Sequence, residues 1–217
     1  MMKRLFFIQI ILVAACGSMT PSALAQDEVG CVRGKPDAPI RIEVFSDYEC
    51  PACRAFYLQT MKLVFTNYAD TGKVCVIYRE FPSFTHSREA ARLARAALRL
   101  GVRQWGQVTE ALFQSQPQWS QTGDVEAVVA SALGAKDMES VLKLSKDPLL
   151  DEVIDNEAIL GLERQVNSTP TFFITARGKT EKVEAALTYA AMQRRLDALL
   201  QETYAAVPHN LNAFLHE

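Results

Sequence analysis

The chain of 217 residues has no run of basic residues, no glycine or proline excess, and no apolar stretch long enough to span a membrane. Lys+Arg at 23 against Asp+Glu at 25 gives a formal net charge of -2, so no track for phosphates exists and nucleic acid is excluded as a partner. With only 10 Gly and 9 Pro, collagen-like and low-complexity chains are excluded too. Metal-ligand patterns are sparse: there are 3 His, and neither a second C-x-x-C nor an H-x-x-H. What is present, 49% hydrophobic and 22% charged residues, fits a soluble globular protein with one good core.

The N-terminus reads as an address. Lys3 and Arg4 make a positive start, Leu5 to Ala15 a short apolar run, and Ala23-Leu24-Ala25 a small-residue cleavage site before Gln26, so residues 1–25 are expected to be a secretory signal. A spanning helix needs roughly 20 apolar residues, about twice this run. Val13-Ala14-Ala15-Cys16 offers a second reading, a lipoprotein signal ending before Cys16 and a lipid anchor at that cysteine. Both readings place the protein in the periplasm or cell envelope, an oxidising compartment. Cleavage after Ala25 leaves 192 residues with 21 basic and 25 acidic side chains, and four cysteines, Cys31, Cys50, Cys53 and Cys75.

Ile40 to Phe45 alternates and is rich in β-branched residues, and the pattern breaks at Ser46-Asp47-Tyr48-Glu49, just before Cys50-Pro51-Ala52-Cys53. A strand therefore runs into a helix, whose first turn suits Pro51. A second strand is expected from Lys73 to Phe81, which makes a βαβ unit with a parallel pair. Ser87 to Val166 reads as four or five helices: 87–100, 104–114, 124–133, 137–145 and 149–166. A β-hairpin of 171–175 and 182–185, turning across Arg177 to Thr180, and a helix from about Leu187 to Ala205 complete an α/β domain over 26–206. The tail 207–217 is expected to be loosely held.

Two of the cysteines form a C-x-x-C pair. At a helix N-terminus Cys50 meets unpaired backbone N–H groups and the positive end of the dipole, which favours the thiolate and makes Cys50 the candidate nucleophile. Cys53, one turn on, can close the disulfide or resolve a mixed one. Pro51 and Ala52 between them are candidate client contacts. The alternatives are a zinc site completed by Cys31 and Cys75 or by one of His86, His209 and His216, and a purely structural local disulfide. No metal and no cofactor are expected.

The segment Glu43 to Arg54, with Thr169-Pro170-Thr171-Phe172-Phe173 downstream and Tyr78-Arg79-Glu80-Phe81-Pro82 between, resembles the DsbA-like thioredoxin-fold thiol:disulfide oxidoreductases of bacterial envelopes over about Gly34 to Leu200. The resemblance implies a thioredoxin-like fold with an inserted α-helical subdomain at about 84–166. It also implies exchange with reduced or unfolded exported proteins, and a quinone-coupled membrane thiol oxidase as reoxidant. Pro170 is then a cis-proline facing the pair, where the Thr169 backbone can meet an extended client strand. The implied fold sets a short first strand beside the one carrying Cys75, so a Cys31–Cys75 disulfide is expected, with two free thiols as the alternative.

One position departs from the family pattern: relatives often bury an acid six residues before the first cysteine, and here that residue is Val44. Glu43 falls on the opposite strand face, where pairing with Arg41 or a nearby helix is expected rather than a proton-relay role. His86 is expected to cap the following helix, with lining the cleft as the alternative, Trp105 and Trp119 to pack in the core, and Arg88, Arg92, Arg95 and Arg99 to line a solvated helix face. The leading function is an oxidase that introduces disulfides, with a potential between roughly -240 and -140 mV. The alternatives are a reductase or isomerase of the same chemistry, and a redox-inert metal- or protein-binding module. Isomerase relatives carry an N-terminal dimerisation domain, for which the segment between Gln26 and Ile40 leaves no room, so a monomer is expected.

Overall fold

The computed structural model describes residues 30–205. The signal and lipid-anchor readings, including Cys16, and the readings for residues 207–217, with His209 and His216, lie outside the described residues.

A four-stranded sheet has the order β2-β1-β3-β4, built from β1 (Ile40–Ser46), β2 (Val74–Glu80), β3 (Thr171–Ala176) and β4 (Lys179–Val183). β1 runs parallel to β2, from Ile40 opposite Val74 to Ser46 opposite Glu80. β3 runs antiparallel to β1, with Thr171 opposite Phe45, so the chain entering β3 arrives beside the chain leaving β1. That adjacency brings Thr169-Pro170 and Cys50 to one end of the sheet. In place of a short first strand, an isolated antiparallel bridge joins Arg33 to Val76 on the outer edge of β2.

The β3–β4 turn is tighter than the hairpin expected from sequence. Only Arg177 and Gly178 connect the strands, both with positive φ (51° and 72°), the backbone of a two-residue hairpin whose twist matches its strands. β4 accordingly starts at Lys179 rather than Lys182.

Helix α1 (Pro51–Phe56) begins with Pro51 at its first position and continues through a π-helical stretch (Tyr57–Met61), α2 (Lys62–Val64) and a second π stretch (Phe65–Ala69). The apolar pattern explains the widening. Phe56-Tyr57, Thr60-Met61, Val64-Phe65 and Tyr68-Ala69 are buried, a repeat of four residues that drifts by about 40° per repeat on a 3.6-residue helix. The π turns absorb that drift and keep the stripe against the sheet.

Between β2 and β3 the chain forms six helices, not four or five: α3 (Ser87–Leu100), α4 (Val102–Gln114), α5 (Gln116–Thr122), α6 (Val125–Ala132), α7 (Ala135–Leu144) and α8 (Leu149–Glu163). The additional one is α5, where Pro117 reads as a breaker but occupies the first turn, in which its missing N–H costs nothing. Helix α9 (Tyr189–Ala205) closes the described chain.

The two sheet faces carry different cores. Ile40, Ile42 and Val44 join Phe56, Met61, Phe113, Trp119 and Phe172 in the main cluster, which includes Cys50 and Cys53. Phe45, Val166 and Phe173 form a smaller cluster under α8. There α8 approaches so closely that a Cβ on Gly161 would lie 2.6 Å from the Phe81 ring. Trp105 and Trp119 are buried, as expected of packing residues.

Of the α3 arginines only Arg95 is buried; the others are half-buried or exposed and pair with acids at α8. Arg88 and Arg92 pair with Asp151, Arg88 also with Asp155, and Arg99 with Asp147, all on or just before α8. Arg95 is 4% exposed and reaches Glu80 at 3.1 Å and Glu157 at 2.5 Å. The acids of α8 thus bury the Arg95 side of the contact and leave the Arg88, Arg92 and Arg99 pairs at its solvent edge.

Candidate functional site

Cys50 is the N-cap of α1, with an extended backbone (φ -73°, ψ 120°), and its amide donates to the Asp47 carbonyl at 3.2 Å. Its Sγ lies 3.3 Å from the Thr169 carbonyl, to which the thiol donates. The Thr169–Pro170 peptide is cis, and Pro170 is buried. Pro51 and Ala52 are exposed beside it, while Cys53 is 1% exposed. The structure thus brings Cys50, Cys53, Pro51, Ala52, Thr169 and Pro170 to one end of the sheet.

The two thiols have opposite acidities. Cys50 is lowered to about 5: the Cys53 thiol donates to its thiolate, and the Thr169 side chain and the Cys53 and Ala52 backbone amides help, against burial. Cys53 is pushed well up, first by burial and then by its donation to Cys50 and the charge there. Ionisation of the pair is therefore concentrated on the sulfur at the helix end, and the inner sulfur holds the proton. In its disulfide form such a pair can accept two electrons from a dithiol, with Cys50 as the less buried sulfur and good leaving group.

Cys31 and Cys75 are bonded to each other, with a Cα–Cα distance of 5.4 Å, and tie the first described segment to β2. With its sulfurs joined in this bond, the pair has no thiolate to offer a zinc site alongside Cys50 and Cys53. Among the described residues no group of His, Cys, Asp or Glu is arranged to hold a metal ion.

Val44 belongs to the same buried cluster as the cysteines, and Glu43 lies on the other face. Of the pairings expected for Glu43, that with Arg41 is absent and that with a nearby helix is made, through Arg164 at the end of α8. Glu43 accepts from Arg79 Nε at 2.7 Å and Arg164 Nη1 at 2.5 Å. Burial pushes its carboxyl up, but these guanidiniums outweigh that and hold it below the usual carboxylate range.

Several residues of the site carried no motif. Asp47, 1% exposed, accepts from the Glu49 amide (2.8 Å), the Ser87 hydroxyl (2.6 Å) and the Ser83 amide (2.6 Å), pinning the loop after β2 to the cysteine loop. Burial is the main cause of its raised carboxyl pKa. Its bond to the amide two residues on is a local Asx turn, a signal readable in the sequence. Glu49 turns toward the same loop and accepts from the His86 amide at 2.7 Å. The His86 side chain makes no cap; the Ser87 hydroxyl accepts from the Phe84 amide instead, and the imidazole lies against Gly123. Arg54 donates to the Phe113 carbonyl at 2.8 Å, and Gln116 to the carbonyls of Tyr48 and Cys50. These last contacts join positions about sixty apart, for which sequence offers no local signal.

Residues 26–198 match the family model described as Thioredoxin. A Na(+)/H(+) antiporter, NhaA 1 of Mycobacterium sp. (strain KMS), is 27% identical over 166 residues, covering 75% of this chain and 26% of that protein. The chain thus spans about a quarter of that relative's length, and among the described residues no helix is long and apolar enough to cross a membrane. Disulfide bond formation protein D of Bacillus subtilis (strain 168) is 24% identical over 151 residues, 66% of each chain. Of solved structures, alpha-DsbA1 of Wolbachia pipientis superposes with a TM-score of 0.66 at 20% identity, over 80% of this chain and 92% of that one.

Proposed function

Since the chain belongs to the thioredoxin family, we propose that it is an exported thiol:disulfide oxidoreductase whose Cys50–Cys53 pair introduces disulfides into reduced or unfolded exported proteins. One observation carries this reading: Cys50 caps α1 with its Sγ 3.3 Å from the Thr169 carbonyl while Cys53 is buried one turn in, an arrangement that favours the thiolate on Cys50 and the proton on Cys53. A client thiolate attacks Cys50 Sγ of the oxidised pair; the Cys50–Cys53 bond breaks and Cys53 leaves with the electron pair, taking up a proton. A second client thiolate attacks the client sulfur of the mixed disulfide, and Cys50 departs as thiolate. The client dithiol is oxidised and the pair is reduced by two electrons. A low-pKa leaving group makes the release step fast and stabilises the reduced enzyme, and both effects drive the direction of oxidation.

Thr169 and Pro170 hold the client backbone beside Cys50, with Pro51 and Ala52 as the exposed surface on the other side. This role is supported by the 3.3 Å approach of the Thr169 carbonyl to Sγ. The reoxidant is a quinone-coupled membrane thiol oxidase, the protein works as a monomer in the periplasm or envelope, and the helices inserted at about 84–166 form a subdomain over the site. The name of the Bacillus relative, a disulfide bond formation protein, agrees with this direction of exchange.

Equilibration with glutathione buffers, followed by alkylation of Cys50, tests the reading. A potential well above thioredoxin's, about -270 mV, is expected, together with net oxidation of a reduced, unfolded client. A potential below thioredoxin's would make the protein a reductase.

A further inference from the structure

We propose that Gln116 is a positioning residue for Cys50, through which the helices inserted between β2 and β3 hold the attacking sulfur in register with its hydrogen-bond donors. The proposal rests on the reading of Cys50 as the exchanging thiol.

Gln116 opens α5 and is 3% exposed. Its Nε2 donates to the Tyr48 carbonyl at 2.7 Å and to the Cys50 carbonyl at 3.0 Å. Both hydrogens of the amide are thus spent on the cysteine loop. The amide orientation is dictated, because the opposite one would set a third oxygen against two carbonyls. The Cys50 carbonyl also accepts the first helical bond, from the Arg54 amide at 3.0 Å. That leaves the Cys50 peptide held from two directions, by its own helix and by α5.

Asp47 pins the loop before Cys50, but few other bonds hold the Cys50 peptide itself. The Cys50 sulfur reaches the Thr169 carbonyl at 3.3 Å, and its amide makes a long 3.2 Å bond to the Asp47 carbonyl. The groups that favour its thiolate are the Cys53 thiol, the Thr169 side chain and the Cys53 and Ala52 amides. Only with the Cys50 backbone fixed do the two amides and the sulfur keep their alignment, and donor strength falls steeply with angle. Losing the clamp also leaves the Tyr48 carbonyl, in a buried loop, without the donor it has now. Pre-aligned donors then become donors that the loop must reorganise to present.

The test uses the reduced full chain and follows the thiolate absorbance of Cys50 against pH, with alkylation rate as a second probe. Gln116→Met keeps the side-chain length and removes the donors; Gln116→Glu keeps the shape and substitutes an oxygen. Trp119→Phe loosens the same helix by deleting the 2.7 Å bond from Trp119 Nε1 to the Leu112 carbonyl, without touching Cys50. Cys50 should titrate at higher pH in both Gln116 variants than in the unsubstituted protein. The equilibrium constant with glutathione should shift roughly tenfold toward a less oxidising pair, about 30 mV. Trp119→Phe should lower the melting temperature and leave the Cys50 titration in place.

An unchanged Cys50 titration in either folded Gln116 variant would overturn the proposal, and so would an equal displacement by Trp119→Phe. Should both variants fail to fold, Gln116→Asn, which shortens the amide beyond reach of one carbonyl, is read by the same criterion. Thiol titration does not depend on the direction of exchange. A protein that titrates as proposed but does not oxidise clients would therefore reject the oxidase reading and spare Gln116.

Discussion

Replacing Glu157 by alanine tests the buried charge cluster that fastens α8 to β2 and α3. Glu157 is 4% exposed; its carboxylate accepts from Arg95 at 2.5 Å, from Arg79 at 3.3 Å and from the Glu80 amide at 2.9 Å. Removing one partner of a buried ion pair costs about 3–5 kcal/mol, because the other charge is left uncompensated. Arg79 keeps Glu43 and Arg95 keeps Glu80, so the low end, about 3 kcal/mol, is expected. For a chain of this size that is a fall of roughly 6–12 °C in melting temperature. The pH dependence adds a second signature. Burial raises the Glu80 carboxyl to about 8, with Arg95 opposing and the Glu157 charge adding to the rise. A carboxyl raised above its unfolded value keeps the folded state protonated between the two, so its contribution is lost as pH rises through that window. Without Glu157 the Glu80 pKa falls and this loss shrinks, and the stability gap between wild type and Glu157→Ala narrows from near pH 6 to near pH 8. Urea unfolding at the two pH values measures it, and Glu157→Gln, which keeps an acceptor for the Glu80 amide, should fall between. A loss under about 1 kcal/mol, or a gap that widens with pH, would refute the argument.

Cys50 of the reduced protein should alkylate far faster than Cys53, with a rate that follows a titration near pH 5; equal rates for both thiols near neutral pH would contradict the assignment. Because the Cys53 thiol is the largest influence lowering Cys50, Cys53→Ala should raise the Cys50 titration more than Cys53→Ser, whose hydroxyl can still donate. A thiol lowered on folding stabilises the reduced state above its unfolded value of 9.0, and that stabilisation is lost as pH falls through about 5, which unfolding of reduced against oxidised protein should register. Removing the Cys31–Cys75 bond, which closes a sequence separation of 44, should cost up to about 4 kcal/mol by chain entropy while the alkylation rate of Cys50 stays unchanged.

Where the sequence was legible, a local pattern met a local structure. The β-branched run of β1 and the proline after Cys50 each announce their own backbone, whereas the turn at Thr169-Pro170 was expected only through the family resemblance; the site is where these segments meet. The disulfide was legible only through the implied neighbourhood of two segments. What escaped the sequence depends on partners far along the chain. Arg95 repeats with Arg88, Arg92 and Arg99 as a solvated stripe would; only Glu157 of α8, sixty-two positions on, shows that this one arginine is buried. Pro117 reads as an ending and in fact begins a helix, since a proline in a first turn and one just past a last turn look alike without the cap. Gln116 resembles any surface glutamine until the carbonyls of the cysteine loop are set against it.

The central claim is that Cys50 is the sulfur that takes the client. Its most direct test is a Cys53→Ala variant mixed with an oxidised or activated client, in which the attacking thiolate remains and the intramolecular escape route is gone. The account predicts a stable mixed disulfide through Cys50, mapped by mass spectrometry, absent in the Cys50→Ala variant and unaffected by replacing Cys31 or Cys75. Adducts that persist without Cys50 but vanish without Cys75 would contradict it.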